Sequence, residues 1–341
     1  MKVHLQVDSA PQRVAGHAAA IAASGVDGLF TFEGQHDVFL PLVVAAGATP
    51  GMDLMTNVAI AGPRSPLHLA HAAWDLQVYS GGRFRLGLGS QIQPHIEKRY
   101  GATWDKPAAK MAETVSAIKA ILDAWEGKSR LSFRGEYFTH TLMPPNFNPG
   151  PNPFGPPPVL MGALGPVMTR TAAEVADGLL VMPFNSDRHF AERTLPAIAE
   201  GLHRGGRRAG EFPLVVQVMV AMGRTGAEQA AARAAVSGLI AFYGSTPAYR
   251  PVLEVEGWAD AQPELNALSK VGDVDRMRAL ISDDMVARIG VTGTPEECAA
   301  EIGRRYGAHA GEVCCYFPGY RPPADQIAAL TAALHDLPAR P

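Results

Sequence analysis

The chain is poor in cysteine, in net charge and in long hydrophobic runs, and each scarcity excludes a class of protein. Only three of its 341 residues are cysteines (Cys298, Cys314 and Cys315), which favours neither a disulfide framework nor a zinc site. A formal net charge of −3 predicts no surface for nucleic acid or anionic membrane. No run approaches the ~18 apolar residues of a membrane span, and the first residues lack the pattern of a signal peptide. We therefore expect a soluble, cytoplasmic protein.

What the sequence does contain is a regular alternation of short β-rich runs with helical stretches. One of these stretches, residues 107–126, has a stripe of apolar residues spaced four, three, four and three apart, which is typical of a helix packed on one face. Alternation of this kind predicts parallel strands joined by right-handed crossovers. Eight strands are expected near residues 3, 28, 54, 84, 159, 179, 214 and 313. Eight such units predict a single-domain (β/α)8 TIM barrel over residues 1–341.

Two insertions interrupt this alternation. Residues 129–158 join a hairpin-like segment, LSFRGEYFTHTLM, to a loop rich in proline and asparagine, which we interpret as a cover over one end of the barrel rather than an interdomain linker. A smaller helical insertion is expected at about residues 244–290. A doubly wound sheet is the alternative fold, but the turn after its first strand needs glycines that VDSAPQR lacks.

In a TIM barrel the chemistry lies at the C-terminal ends of the strands. Here these ends contain few acidic residues and no repeated pattern of His and Asp, so no metal site is predicted. A metal-dependent hydrolase stays open as an alternative, because His68 and His71 are three residues apart on a predicted helix. No GxSxG motif is present, so a covalent nucleophile has little support.

The segment MGALGPVMTRTAAEVADG ends a strand in small residues and then starts a helix, with Gly165 as its cap and Pro166 at its first position. Free amides at the positive end of a helix are suited to bind a phosphate, and small residues let it approach the backbone closely. An ordinary tight turn between strand and helix explains the same residues about equally well.

At this point the residues resemble a known family. SPLHLAHAAWDLQVYSGGRFRLGLGSQ, residues 65–91, looks like the signature of luciferase-like monooxygenases, and AAEVADGLLV and GTPEECAAEI continue the resemblance to about Pro318. Within the superfamily the chain is most similar to the branch that depends on the deazaflavin coenzyme F420. The resemblance implies a homodimeric TIM barrel that transfers a hydride between F420 and a small organic substrate. An FMN-dependent monooxygenase and a non-catalytic flavin-binding protein are the alternatives.

The resemblance also implies cofactor-binding positions. A non-prolyl cis peptide between Asn57 and Val58 would form a bulge behind the flavin ring. The turn after the fourth strand and the phosphate turn would line the cofactor. The implied cofactor-binding residues are Asn57, Val58, Gly89, Ser90, Ala163, Leu164 and Gly165.

Glu33 matches the acidic residue that ends the second strand in the family. Relatives frequently have a histidine directly after this acid, whereas Gly34 stands here and the nearest imidazole is His36. An imidazole at a strand end can carry a proton near neutral pH, so we predict Glu33 and His36 as the catalytic residues. The alternative is that His36, with its neighbour Asp37, only packs and caps the start of a helix.

Four further residues follow strands and are expected to face the substrate: Asp8, Gln91, His95 and Arg64. Some sugar-phosphate dehydrogenases of the branch have a catalytic glutamate after the fourth strand. Gln91 and Ile92 stand in that stretch here, so their substrate is not expected. For His95 the alternative is a surface position, and Arg64 either meets the cofactor tail or faces solvent.

Overall fold

The computed structural model describes residues 1–338, and twelve strands lie in that range. They are β1 (Lys2–Gln6), β2 (Gly28–Thr31), β3 (Asp53–Thr56), β4 (Ala59–Ile60), β5 (Phe84–Gly89), β6 (Phe133–Arg134), β7 (Thr139–His140), β8 (Val159–Ala163), β9 (Gly178–Val181), β10 (Leu214–Met222), β11 (Val291–Gly293) and β12 (Glu312–Tyr316). The strands β1, β2, β3, β5, β8, β9, β10 and β12 pair in parallel in this order, and β12 returns to β1. The predicted single-domain TIM barrel is confirmed, with every barrel strand at its predicted place.

Helices surround this barrel. They are α1 (Val14–Ala22), α2 (Leu40–Ala48), α3 (Pro66–Tyr79), α4 (Gln93–Lys98), α5 (Pro107–Trp125), α6 (Pro166–Val175), α7 (Asp187–His189), α8 (Leu195–Arg204), α9 (Gly226–Gly244), α10 (Arg250–Val255), α11 (Ala261–Val271), α12 (Val274–Ala279), α13 (Asp283–Ile289), α14 (Pro295–Tyr306) and α15 (Ala324–His335). The predicted apolar stripe of α5 is buried along its length. None of the helices in residues 1–338 combines the length and apolar character needed to cross a membrane.

The inside of the barrel is filled by one layer of side chains from six different strands. They are Phe30, Met55, Leu160, Leu180, Val215 and Cys314, and all are at most 1% exposed. Val58 and Tyr316 pack against this layer. The burial of these residues closes the barrel interior, so any ligand has to bind at an end of the barrel.

The N-terminal end of the barrel is held by an ion cluster. The Glu312 carboxylate accepts two hydrogen bonds from the Arg85 guanidinium, at 2.7 and 2.9 Å, and lies 2.6 Å from Nε2 of the buried His4. These residues come from β12, β5 and β1, so the cluster ties three strands together at the end opposite to the expected chemistry.

The insertion at residues 129–158 contains the predicted hairpin, in which β6 and β7 pair antiparallel. Phe154 lies against Gly82, which precedes β5, and Glu126 at the end of α5 accepts a hydrogen bond from the Asn152 amide. This loop therefore lies toward the N-terminal end of the barrel. The helical insertion packs on α9 at the other end.

The helical insertion ends near residue 290 as expected, but a short strand that was not predicted follows it. Its last helix, α13, stops at Ile289, and β11 follows directly and pairs with the C-terminal part of β10. A strand of three residues has no recognisable period, so the sequence alone does not separate it from the preceding helix.

Candidate functional site

A cavity of ≈1660 Å³ opens at the C-terminal ends of the barrel strands. Pockets for one small molecule are typically about 300–1,000 Å³, so this cavity has room for more than one ligand. Ten of the predicted site residues line it: Glu33, Asn57, Val58, Gly89, Ser90, Gln91, His95, Ala163, Leu164 and Gly165. Three do not: Asp8, His36 and Arg64.

The cavity wall after β3 is an irregular turn formed by Asn57 and Val58. The peptide bond between them is cis, as the resemblance implies. The Asn57 side chain is 4% exposed, and apart from a contact with the buried Cys314 sulfur neither its Oδ1 nor its Nδ2 has a hydrogen-bond partner in residues 1–338. A buried amide without further partners is costly, so this side chain indicates a ligand that offers both a donor and an acceptor.

Two glycines make room for Val58. A Cβ atom at Gly89 would lie 2.5 Å from one Val58 methyl, and a Cβ at Gly162 would lie 3.1 Å from the other. Gly89 is therefore needed for packing of the turn as well as for lining the cavity. Gly162 was not predicted from the sequence, where its signal is a glycine inside a buried strand.

Both carboxylate oxygens of Glu33 accept hydrogen bonds from other residues of the chain. Its Oε2 accepts hydrogen bonds from the Ile60 amide at 2.8 Å and from the Arg64 guanidinium at 2.6 Å, and its Oε1 accepts one from the Tyr100 hydroxyl at 3.1 Å. The Glu33 amide donates to the Val58 carbonyl at 3.3 Å. Glu33 thus clamps the turn that carries Val58, and Arg64 turns toward Glu33 instead of the cavity.

His36 is exposed and lies outside the cavity, contrary to the expectation that it projects into the barrel mouth. The loop that carries it is held from both sides. Asp37 accepts hydrogen bonds from the Phe39 and Leu40 amides at the start of α2, and Arg99 donates to the Gly34 carbonyl at 2.6 Å. These contacts turn the loop outward. They agree with the alternative interpretation, in which Asp37 caps the start of α2.

The Asp8 side chain also binds residues of its own chain and does not line the cavity. Its carboxylate accepts two hydrogen bonds from Arg13, at 2.7 and 3.1 Å, and one from the Ala10 amide. The Arg13 hydrogen bond, followed by that of Ala10, lowers the pKa of Asp8 to about 2. Asp8 therefore closes the turn between β1 and α1.

The turn after β5 brings an imidazole to the cavity. Gln91 has a left-handed backbone, with φ of 61°, and its side-chain oxygen accepts a hydrogen bond from the Ile92 amide. This turn leads into α4, where His95 is half-buried and lines the cavity. Its Nδ1 is buried without a hydrogen-bond partner among the residues that the structure describes. No other histidine in residues 1–338 lines this cavity.

The N-terminus of α6 is open. Gly165 is its N-cap, no side chain caps the helix, and a Cβ atom at Gly165 would meet nothing within 4 Å. In contrast, α9 and α14 begin with complete capping boxes, from Thr225 and Thr294. Because the turn before α6 lines the cavity, its positive end is available to an anion there.

The wall formed by β10 and β12 contains a polar pair that was not predicted from the sequence. The Tyr316 hydroxyl donates to Gln217 Oε1 at 2.9 Å, and both residues line the cavity. The Tyr316 ring lies 4.9 Å from the ring of Phe30. The available signal was Gln217 itself, the one polar residue in the strand LVVQVMVAM.

Few charges line the cavity. Among the described residues they are limited to Glu33, His95 and Arg321, apart from tyrosines. No group of three or more His, Cys, Asp or Glu side chains within residues 1–338 is arranged to hold a metal ion. Burial raises the pKa of the three cysteine thiols, none of which lines the cavity. The site can therefore bind an anion on backbone amides, hold a planar polar group at Asn57 and exchange a proton at His95.

Comparison with known proteins agrees with this architecture. The profile of the family described as luciferase-like monooxygenase matches residues 2–310. An uncharacterised protein of Mycobacterium tuberculosis (strain H37Rv) is 47% identical over 293 residues, 86% of each chain. The 5,10-methylenetetrahydromethanopterin reductase of Archaeoglobus fulgidus is 28% identical over 83% of this chain and 82% of its own. The solved structure of the coenzyme F420 dependent tetrahydromethanopterin reductase from Methanopyrus kandleri has the same fold, with a TM-score of 0.80, 20% identity and 98% of both chains covered.

Proposed function

The chain belongs to the luciferase-like monooxygenase family, and we propose that it is an oxidoreductase that transfers a hydride between the deazaflavin coenzyme F420 and a small organic substrate. The observation that carries this proposal is the presence, on one cavity, of the largely unpartnered Asn57 amide and the open N-terminus of α6. A flavin-type cofactor has a ring edge with donors and acceptors and also a phosphate, so it fits both features. When bound, a deazaflavin supplies a two-electron donor or acceptor of hydride.

The residues of this chain would bind and orient the cofactor. We propose that Asn57 hydrogen-bonds the polar edge of the ring, with Val58 packed behind it on Gly89. Backbone amides at the start of α6, after Leu164 and Gly165, would hold the phosphate. Ser90 and Ala163 complete the predicted lining. These assignments need no cationic side chain, which agrees with the few charges on the cavity.

For the proton we propose His95. Histidine both donates and accepts protons near neutral pH, and His95 is the histidine among residues 1–338 that lines the cavity. Glu33 is then a positioning residue, since its carboxylate is occupied by Ile60, Arg64 and Tyr100. His36 has no place in this mechanism because the loop that carries it turns outward.

The choice of F420 over FMN is supported by relatives. The 5,10-methylenetetrahydromethanopterin reductase of Archaeoglobus fulgidus is 28% identical over 83% of this chain. The F420-dependent glucose-6-phosphate dehydrogenase of Nakamurella multipartita is 28% identical over 62% of it. The N-terminus of α6 alone does not discriminate between F420 and FMN, because both cofactors carry a phosphate. FMN is therefore the alternative that the cofactor experiment has to exclude.

We also propose that two copies of the chain associate, as the resemblance implies. Helices α2 and α3 pack together and expose apolar side chains on their outer surface: Leu40, Val43, Val44, Val78 and Tyr79. Light scattering on a sizing column should give twice the chain mass, and Val44→Asp should reduce it to the mass of one chain. A single-chain mass for the wild type would refute the dimer.

A cytoplasmic location stays a prediction from the sequence.

The activity is tested by mixing the protein with reduced F420 and panels of small ketones, enals and quinones. The expected result is reappearance of the absorbance of oxidised F420 with at least one panel, and slower reappearance with the Gly165→Asp variant at limiting cofactor. Turnover that needs FMN and oxygen would support the monooxygenase alternative. Tight F420 binding without turnover in any panel would favour a non-catalytic binding protein.

A further inference from the structure

The cavity extends beyond the strand ends into the helical insertion. There its wall is built by α9, by the turn that follows it and by α12. We call this part the tyrosine wall and define it by Leu239, Phe242, Tyr243, Thr246, Tyr249 and Met277. Because the whole cavity of ≈1660 Å³ exceeds what one small ligand fills, the tyrosine wall has space for a second molecule beside a cofactor.

The tyrosine wall carries no acidic or basic side chain. The basic side chains nearest to this part of the cavity are Arg278, Arg321 and His95, and none belongs to the tyrosine wall. Arg278, on α12, lies against Gly238 of the cavity lining, but its side chain is exposed to solvent. Arg321 is 79% exposed and lies 3.6 Å from Asp8, and His95 is on the α4 side. Transfer of a carboxylate or phosphate onto an uncharged, largely apolar surface is costly, so this part of the cavity disfavours an anionic ligand.

Polar groups beside the tyrosine wall are already satisfied within the protein. Ser245 Oγ donates to the Phe242 carbonyl at 2.7 Å, Asn266 Nδ2 donates to the Ser245 carbonyl at 2.9 Å, and Ser269 Oγ donates to the Asn266 carbonyl at 2.8 Å. The hydroxyls of Tyr243 and Tyr249 are different, since neither is hydrogen-bonded to any residue from 1 to 338. Together with the Thr246 hydroxyl, which also has no hydrogen-bond partner among these residues, they are the donors left for a ligand.

The two tyrosines are held rigidly and stay neutral. Their rings lie 6.1 Å apart, and the Phe184 ring packs 5.9 Å from Tyr243 and 6.2 Å from Tyr249. Burial raises the pKa of both hydroxyls, that of Tyr249 to about 12. Leu164, in the turn before α6, belongs to the same apolar cluster, which joins the tyrosine wall to the cofactor side of the cavity.

We propose that the tyrosine wall is the substrate subsite, and that it binds an uncharged aromatic or alicyclic molecule whose carbonyl or hydroxyl oxygen accepts a hydrogen bond from Tyr243 or Tyr249. The apolar side chains of the wall contact the carbon skeleton, and the tyrosine hydroxyls orient its oxygen. That this ligand is the substrate rests on the proposed function, whereas the binding itself does not need the cofactor.

The test uses a neutral fluorescent ketone, 6-propionyl-2-(dimethylamino)naphthalene, whose emission shifts to the blue in apolar surroundings. Titrated with the full-length protein, it should bind, and 6-(dimethylamino)naphthalene-2-carboxylate should bind at least about 10-fold more weakly. At least one of Tyr249→Phe and Tyr243→Phe should weaken binding of the ketone roughly 2- to 10-fold, the effect of one hydrogen bond. Tyr137→Phe, at a tyrosine of the 129–158 loop whose hydroxyl also lacks a partner among the described residues but does not line the cavity, is the matched control and should change nothing.

Equal binding of ketone and carboxylate by the wild type would overturn the proposal even if a variant failed to fold. So would ketone binding that neither cavity tyrosine affects. Thr246→Lys adds a cation to the wall and should bring carboxylate binding closer to that of the ketone. Titration of the same tyrosine variants with F420 separates the substrate subsite from the proposed cofactor site. A variant that loses ketone binding but keeps its F420 affinity is affected at the tyrosine wall alone. Ketone binding in a protein that does not bind F420 would contradict only the proposed function.

Discussion

Glu33 and Arg64 form an ion pair at 2.6 Å, with side chains that are only 7% and 23% exposed. The same guanidinium nitrogen donates to the Ile60 carbonyl, while the Glu33 carboxylate accepts from the Ile60 amide. The pair therefore ties the end of β2 to β4 and fixes the turn that carries Asn57 and Val58. We therefore propose that the pair positions the cavity wall, although an acid after β2 resembles a catalytic group in the sequence.

Replacement of Glu33 should loosen this wall. Glu33→Gln keeps the shape but weakens the hydrogen bonds from Arg64 and Ile60, so we expect a loss of about 1–3 kcal/mol in the free energy of unfolding. Cofactor affinity should fall with it, while the pH profile of kcat should keep its shape. Urea denaturation measures the stability. Glu136→Gln, which breaks the exposed pair with Lys106, is the control and should cost less than about 1 kcal/mol. A changed pH profile with unchanged stability would instead make Glu33 a proton carrier.

The proton carrier is tested by a pair of histidine variants. His95→Ala should lower kcat roughly 10²–10⁴-fold and flatten one limb of the pH–rate profile, with little change in cofactor affinity. His36→Ala removes an exposed imidazole outside the cavity and should leave both unchanged. Steady-state kinetics across pH with a substrate from the ketone panel gives the comparison. The reverse result, a large effect at His36 and none at His95, would restore the hypothesis drawn from the sequence.

The phosphate position is tested at the start of α6. The Gly165 backbone, with φ of −69°, accepts other residues, and the space next to it is open. Gly165→Asp should therefore fold but weaken cofactor binding about 10-fold or more, through repulsion between the carboxylate and the phosphate. Gly165→Asn has nearly the same size without the charge and should bind distinctly better than the aspartate variant. Equal affinities of wild type and Gly165→Asp, in a variant with an unchanged melting temperature, would place the phosphate elsewhere.

Acid stability should depend on the ion cluster at the other end of the barrel. Burial alone would raise the pKa of Glu312, but hydrogen bonds from His4 and Arg85 lower it to about 2 from an ordinary value of 4.5. A lowered pKa in the folded state stabilises the protein above pH 4.5, and this contribution is lost as the pH falls from 4.5 toward 2. The expected contribution is about 3 kcal/mol at neutral pH.

The variant for this test is Glu312→Gln. It should lose most of that stability at neutral pH and show a smaller decline between pH 4.5 and 2, as followed by urea denaturation. Asp123→Asn, in an exposed pair with Lys128, is the control and should follow the wild type. If Glu312→Gln declines in acid as steeply as the wild type, the cluster is not the cause of acid sensitivity.

The barrel was predictable because its signal is repeated eight times. Each strand is a short apolar run before a helical pattern, and the crossover rule then leaves few arrangements. The turn at Asn57 and the start of α6 were predictable too, the first from the family resemblance and the second from a small-residue turn followed by proline. These signals are local, so no knowledge of distant contacts is needed to read them.

The direction of side chains on loops was not predictable. His36, Asp8 and Arg64 all follow strands, but each is turned away from the cavity by contacts, and the partners that hold Arg64 and the His36 loop are distant in sequence. Arg99 reaches Gly34 across 65 residues, and Arg64 reaches Glu33 across 31. The tyrosine wall was missed for a similar reason, since Tyr243 and Tyr249 become part of the cavity only when the helical insertion folds onto the barrel.

The central claim is that the turn at Asn57 and the N-terminus of α6 together bind a deazaflavin. It is tested most directly by equilibrium titration of the cofactor-free protein with F420 and, separately, with FMN, for the wild type, Asn57→Ala and Gly165→Asp. We expect saturable, one-site binding of F420 that is tighter than binding of FMN and is weakened by each substitution. Absence of F420 binding, or F420 affinity unchanged in both folded variants, would contradict it.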